Sequence, residues 1–241
     1  LALTGERLPG RERALDASIV WSGAAGSWKP AEPEVDHAGD AATLRFAGPI
    51  LEGRASVELV YRVSASGELS VNFHYAASTA LPMLPRVGTR WILPADLQQV
   101  EWYGRGPDPT YADRRFEPVG RHQTTVMENW VDYSRPQENG NKVDVRWLQI
   151  TDAEGTGLRF TGVEPLSCNV LPWEAEVIQD FAYSWQLPAS VSTVVNIDRA
   201  QMGVGGDNSW GAICHEPYRL QEKAYRYAYT VYPVHAGTLQ R

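Results

Sequence analysis

The chain has 241 residues, of which 43% are apolar and 21% charged, and a net charge of −7. This is the balance of a folded globular protein with one large core, and it argues against disorder over most of the length. The acidic excess and the lack of a basic run speak against nucleic acid as a partner, and no apolar stretch approaches the roughly 20 residues that span a bilayer.

From the N-terminus, residues 23–40 are rich in Ala, Gly, Pro and Glu and read as a surface loop. Val57, Leu59, Tyr61 and Val63 then alternate with mostly polar residues. After the Ser66-Gly67 turn, Leu69, Val71, Phe73 and Tyr75 do the same, which predicts an antiparallel hairpin with one face on a core. Val143, Val145 and Trp147 begin another strand, and the turn at residues 152–155 leads into a further one through Leu158 and Phe160. One short helix is expected where Pro172 can open a first turn and Trp173, Val177 and Ile178 come after it at helical spacing. Val191 to Ile197 reads as a strand, and Tyr225, Tyr227, Tyr229 and Val231 form the cleanest alternation in the chain. Cys168 and Cys214 lack metal or redox spacing and read as two buried thiols of a cytosolic protein, so a cytoplasmic location is expected.

Four blocks stand in order along this strand-rich frame. They are Leu84-Pro85-Arg86-Val87-Gly88; Val100 to Pro107 with Tyr111, Asp113 and Arg114; Arg135 to Lys142, which contains Glu138-Asn139-Gly140; and Gln201 to Gly211. Together they resemble the C-terminal small-chain domain of the large bacterial β-galactosidases of glycoside hydrolase family two, from about Met83 to Pro233. The resemblance implies an all-β fold, a large antiparallel supersandwich of the galactose-mutarotase type, with residues 1–241 as one domain shortened at its N-terminus. It also implies the parent activity, retaining hydrolysis of terminal β-galactosides such as lactose, by a homo-oligomer.

A retaining glycosidase needs two carboxyl groups about 5 to 5.5 Å apart. In the resembled family both come from a barrel domain, as do the magnesium and sodium sites, so no catalytic residue and no metal is expected in this chain. Glutamates such as Glu101 and Glu174 show no pairing in their spacing and read as surface charge. Glu138 reads as satisfying backbone donors within its Glu-Asn-Gly turn. The resemblance points instead to Trp210 as the substrate contact, an apolar platform for the sugar outside the galactose subsite. Asp207, Asn208 and Ser209 are expected to hold its loop through side-chain to backbone hydrogen bonds. Asp113 and Arg114 suggest a carboxylate–guanidinium pair. The chain departs from the family pattern at Pro109-Thr110 and at Tyr183. The barrel domain of the parent and a β-galactoside are the expected partners. Two alternatives come from other classes: a carbohydrate-binding module, and an aldose epimerase in which His74 or His122 would work with a glutamate.

Overall fold

The computed structural model describes residues 20–208 and 212–237. Eleven strands pair antiparallel into one continuous sheet: β1 (Glu34–Ala38), β2 (Ala41–Ile50), β3 (Ala55–Ser64), β4 (Leu69–Ala77), β5 (Arg86–Pro94), β6 (Gln99–Arg105), β7 (Val119–Thr125), β8 (Lys142–Thr151), β9 (Gly157–Leu171), β10 (Ser192–Gln201) and β11 (Ala224–Val234). Among the described residues two short α-helices interrupt them, α1 (Val126–Asn129) and α2 (Ala175–Gln179). The all-β expectation therefore holds.

The predicted hairpin is β3–β4, in register from Ala55 opposite Ala77 to Val63 opposite Leu69. β4 then pairs with β11, the strand of alternating tyrosines, and β11 with β9. The loop expected over residues 23–40 contains a strand instead. β1 pairs with β2 at the sheet edge, and all five of its residues are exposed, so neither face is buried and no apolar alternation announces it. The predicted helix exists as α2, but it begins three residues after Pro172, with Glu174 as its N-cap.

β9 is the strand that folds the sheet onto itself. Its first half, Gly157–Gly162, pairs with β11, and its second half, Ser167–Leu171, pairs with β10, which in turn pairs with β5. Between the halves, Gly162 packs so closely that a Cβ there would lie 2.2 Å from the Glu164 carbonyl. Pro165 has no N–H to offer a ladder, which suits a residue at the point of departure. The two limbs close over one core. Phe160, Val195, Ile197 and Tyr229 are fully buried in it, each contributing about 1.5–3 kcal/mol by leaving water. The tyrosine hydroxyls are satisfied inside: Trp91 Nε1 donates to Tyr229 Oη at 2.9 Å, and Tyr227 Oη donates to the Ile197 carbonyl at 2.8 Å.

Candidate functional site

Where β10 ends, the chain enters the glycine-rich loop that carries the fourth block. Its first residues are pinned by backbone: Met202 N–H donates to the Pro85 carbonyl at 3.0 Å, and Gly203 N–H to the Tyr218 carbonyl at 2.8 Å. The next two amides are taken by a side chain from 91 residues earlier. Asp113 Oδ1 accepts from Val204 N–H at 3.1 Å, and its Oδ2 accepts from Gly205 N–H at 2.8 Å. Glycine is required for this approach, since a Cβ on Gly203 would lie 2.5 Å from Asp113 Oδ2 and 2.9 Å from the Cys214 Cβ. A Cβ on Gly206 would meet the Ala212 carbonyl at 2.2 Å, so the two arms of the loop lie against each other. His215 Nε2 and Asp207 Oδ1 staple them at 2.7 Å.

Asp113 is itself held. Tyr111 and Arg114 exchange two backbone hydrogen bonds of 3.0 Å around it. Thr110, buried, donates its N–H to the Asn141 carbonyl at 2.7 Å and accepts from Val143 N–H through Oγ1 at 2.9 Å, while Asn141 Nδ2 returns a bond to the Thr110 carbonyl. The Pro109-Thr110 departure is thus absorbed by the asparagine of the third block.

The expected Asp113–Arg114 pair does not form among the described residues. The carboxylate prefers two adjacent amides, and the ion pairs nearby are Arg105 and Arg115 with Asp144, at 2.6 and 2.5 Å. These two guanidinium groups hold the Asp144 carboxyl below the usual range against the opposing effect of its burial. Asp207 engages a side chain, His215. Ser209 and Trp210, and the N-terminal shortening expected before residue 20, lie outside the described residues. Two apolar side chains in or against the loop are exposed, Val204 at 52% and Tyr218 at 38%, beside the exposed Asp207 and His215.

A second cluster, unforeseen in the sequence, lies under the β5–β10–β9 limb. Asp198, fully buried, faces Arg86 Nε at 2.8 Å in an ion pair without hydrogen-bond alignment. Arg86 also grips Glu138, and Asn169 Nδ2 donates to the same Glu138 Oε1 at 3.0 Å. So Glu138 serves two side chains; it is Asn139 that satisfies the turn, accepting from Val131 N–H and donating to the Val131 and Gln137 carbonyls. One guanidinium serves two carboxylates here. Burial, together with repulsion from Glu138, outweighs the attraction of Arg86 and pushes Asp198 up to about 7. Arg86 is held above its ordinary value by Asp198 and Glu138 despite burial. The signal was available, since Arg86 and Glu138 both stand in the recognised blocks. Asp198 is sealed from solvent, so a glycosidic oxygen cannot reach it.

The two histidines nominated for an epimerase, His74 and His122, are apart from both clusters. His122 packs on Trp102 with the rings tilted by 30° and their centroids 5.1 Å apart. His74 lies between Glu58 and Arg226 across three strands, in an open cleft of about 420 Å³ beside the β9 kink, and the Glu58 carboxylate is taken by Arg45 at 2.5 Å. Tyr183 stacks on exposed Trp185. Among the described residues no three His, Cys, Asp or Glu side chains converge as a metal site would require.

The profile of the β-galactosidase small-chain family matches residues 18–231. The match extends upstream of Met83, where the blocks offered only strand pattern. A β-galactosidase of Halalkalibacterium halodurans is 37% identical over 213 residues, covering 85% of this chain and 21% of that protein. One of Priestia megaterium is 36% identical over 182 residues, covering 75% and 18%. The chain thus spans about a fifth of the length of these curated relatives. Among solved structures, galactose 1-epimerase from Lactobacillus acidophilus aligns at 6% identity with a TM-score of 0.48, over 88% of this chain and 67% of that one.

Proposed function

The chain belongs to the β-galactosidase small-chain family, and from that premise we propose that it is the non-catalytic β-domain of a parent β-galactosidase that hydrolyses terminal β-galactosides such as lactose. The bond-breaking carboxylates lie on a separate barrel domain of the cytoplasmic, homo-oligomeric parent. This domain lends a docking surface and the indole of Trp210 as a platform for the leaving group. The observation that carries the reading is the loop leading to Trp210. It is clamped by Asp113 and stapled by His215, and it exposes Val204 with Tyr218 beside it. A tightly held surface loop that carries exposed apolar groups suits contact with another body of protein and with a sugar. A pyranose has a face of C–H groups, and an indole covers it with little side-chain entropy to lose. Such a platform orients the aglycone without taking part in proton transfer.

The test is kinetic. The isolated chain releases no nitrophenol from a nitrophenyl galactoside. In the parent, Trp210→Ala lowers kcat/KM for a galactoside with a sugar aglycone by about 10-fold, the worth of one aromatic face. It leaves methyl galactoside within about 2-fold, because a methyl group has no second ring to stack. Cleavage by the isolated chain, or equal losses on both substrates, contradicts the reading. Lactose binding by the isolated chain at millimolar concentration, lost in Trp210→Ala, would favour a carbohydrate-binding module instead.

A further inference from the structure

We propose that the cleft between β3–β4 and β5 is a binding site for a neutral monosaccharide, whose ring packs on an aromatic wall while its oxygens meet Tyr75 Oη and Trp28 Nε1. The site uses no part of the glycine-rich loop and does not rest on the platform reading above.

The cleft has a volume of about 290 Å³. Tyr61 of β3 with Phe73 and Tyr75 of β4 line one side, β5 from Arg86 to Arg90 lines another, and Trp21 and Trp28 complete the wall. Among the described residues β5 pairs with β10 alone, so on this side the two limbs of the sheet part instead of continuing the ladder. Aromatic walls with a few polar groups, near the lower end of the sizes usual for small-molecule sites, suit a single ring.

Two polar atoms in this wall lack protein partners. The indoles of Trp21, Trp91 and Trp102 all donate, that of Trp21 to the Met83 carbonyl at 3.0 Å, and the buried hydroxyls of Tyr227 and Tyr229 are satisfied. Tyr75 is only 2% exposed, yet its hydroxyl has no hydrogen-bond partner among the described residues, and neither has the buried Trp28 Nε1. Both side chains line the same cleft. A buried donor left unmatched costs free energy that an incoming oxygen returns. Burial pushes the Tyr75 phenol up to about 12, so at neutral pH it keeps its proton and can donate.

Charge and shape narrow the ligand. Arg86 already faces Asp198 and Glu138, and Arg90 faces Glu174 and Glu176, so neither guanidinium lining the cleft is left over for an anion. A phenol brings one oxygen and meets one of the two unmatched groups. A pyranose carries oxygens around its rim and C–H groups on its faces, so it meets both while its faces pack on aromatic rings.

The experiment titrates the full chain with galactose, glucose, galacturonate and phenol while the indole N–H resonances are followed by NMR, that of Trp28 being assigned by its loss in Trp28→Phe. A neutral hexose moves the Trp28 resonance and saturates with a Kd in the millimolar range. Tyr75→Phe, which removes one hydroxyl and no bond within the protein, weakens that binding about 3- to 10-fold and does not lower the urea midpoint. Trp28→Phe, read by calorimetry, weakens it to a similar extent and carries the test if Tyr75→Phe does not fold. Galacturonate binds at least about 10-fold more weakly than galactose, because its carboxylate loses water and gains no cation. A Trp28 resonance that no hexose moves overturns the inference, and so does hexose binding that neither variant weakens. Binding of phenol without hexose marks the cleft as a merely apolar pocket and overturns it as well. Equal binding of galacturonate overturns the neutral class. Hexose binding that survives both variants but is lost in Trp210→Ala belongs to the platform and refutes this cleft while leaving the platform reading intact.

Discussion

Two aspartates in this molecule meet opposite surroundings. Asp198 is buried under the β5–β10–β9 limb, where it shares one guanidinium with Glu138 and is pushed up to about 7 by burial. Asp113 sits at the surface and accepts from two backbone amides. In the first region, leaving water dominates. The ion pair exists because an uncompensated charge there would cost more than the pair returns. In the second, the carboxylate keeps part of its hydration and gives up little, so its bonds contribute geometry more than stability. A cluster that holds the fold and a clamp that orders a loop can therefore be told apart by how far the removal of each lowers stability.

The sharpest way to break that contrast is Arg86→Met. It strands Asp198 and Glu138 without their cation and is expected to cost about 3–5 kcal/mol, read as a lowered urea midpoint for the chain. A loss under about 1 kcal/mol would mean that the cluster is no more structural than a surface pair.

The pH dependence comes next. Asp198 titrates at about 7 in the folded chain against 3.8 unfolded, so between those values the folded state holds the extra proton. Stability from this group therefore falls as pH rises from about 4 to about 7, by at most about 1.4 kcal/mol per pH unit, and is flat above. Urea midpoints from pH 4 to 8 should show the decline in the parent sequence and a reduced slope in Asp198→Asn. Identical slopes would show that Asp198 is ionised throughout.

The smallest effect belongs to the surface staple. His215→Ala removes the contact with Asp207, which is exposed on both sides, and should change stability by less than about 0.5 kcal/mol. The same variant speeds hydrogen exchange within residues 206–208. An unchanged exchange rate would show that the staple does not order these residues.

Much of the fold was legible because burial leaves a period of two. The β3–β4 hairpin, the tyrosine strand β11 and the starts of β8 and β9 all announce themselves through apolar residues on one face. β1 does not, because it buries neither face. The fork in β9 was not legible either: Gly162 and Pro165 hint at a break, but a strand that changes partners is defined by β10 and β11, which lie later in the chain. The site divides in the same way. The glycines of the 203–206 segment and the order of the four blocks are properties of the chain read alone, and they suffice for fold class and family. That Asp113 would choose amides 91 residues away over Arg114 beside it, and that Arg86, Glu138 and Asp198 would share one buried site, are properties of proximity. Local pattern records which residues leave water. Which polar groups then satisfy one another is decided only when the folded sheet brings distant segments within hydrogen-bond reach.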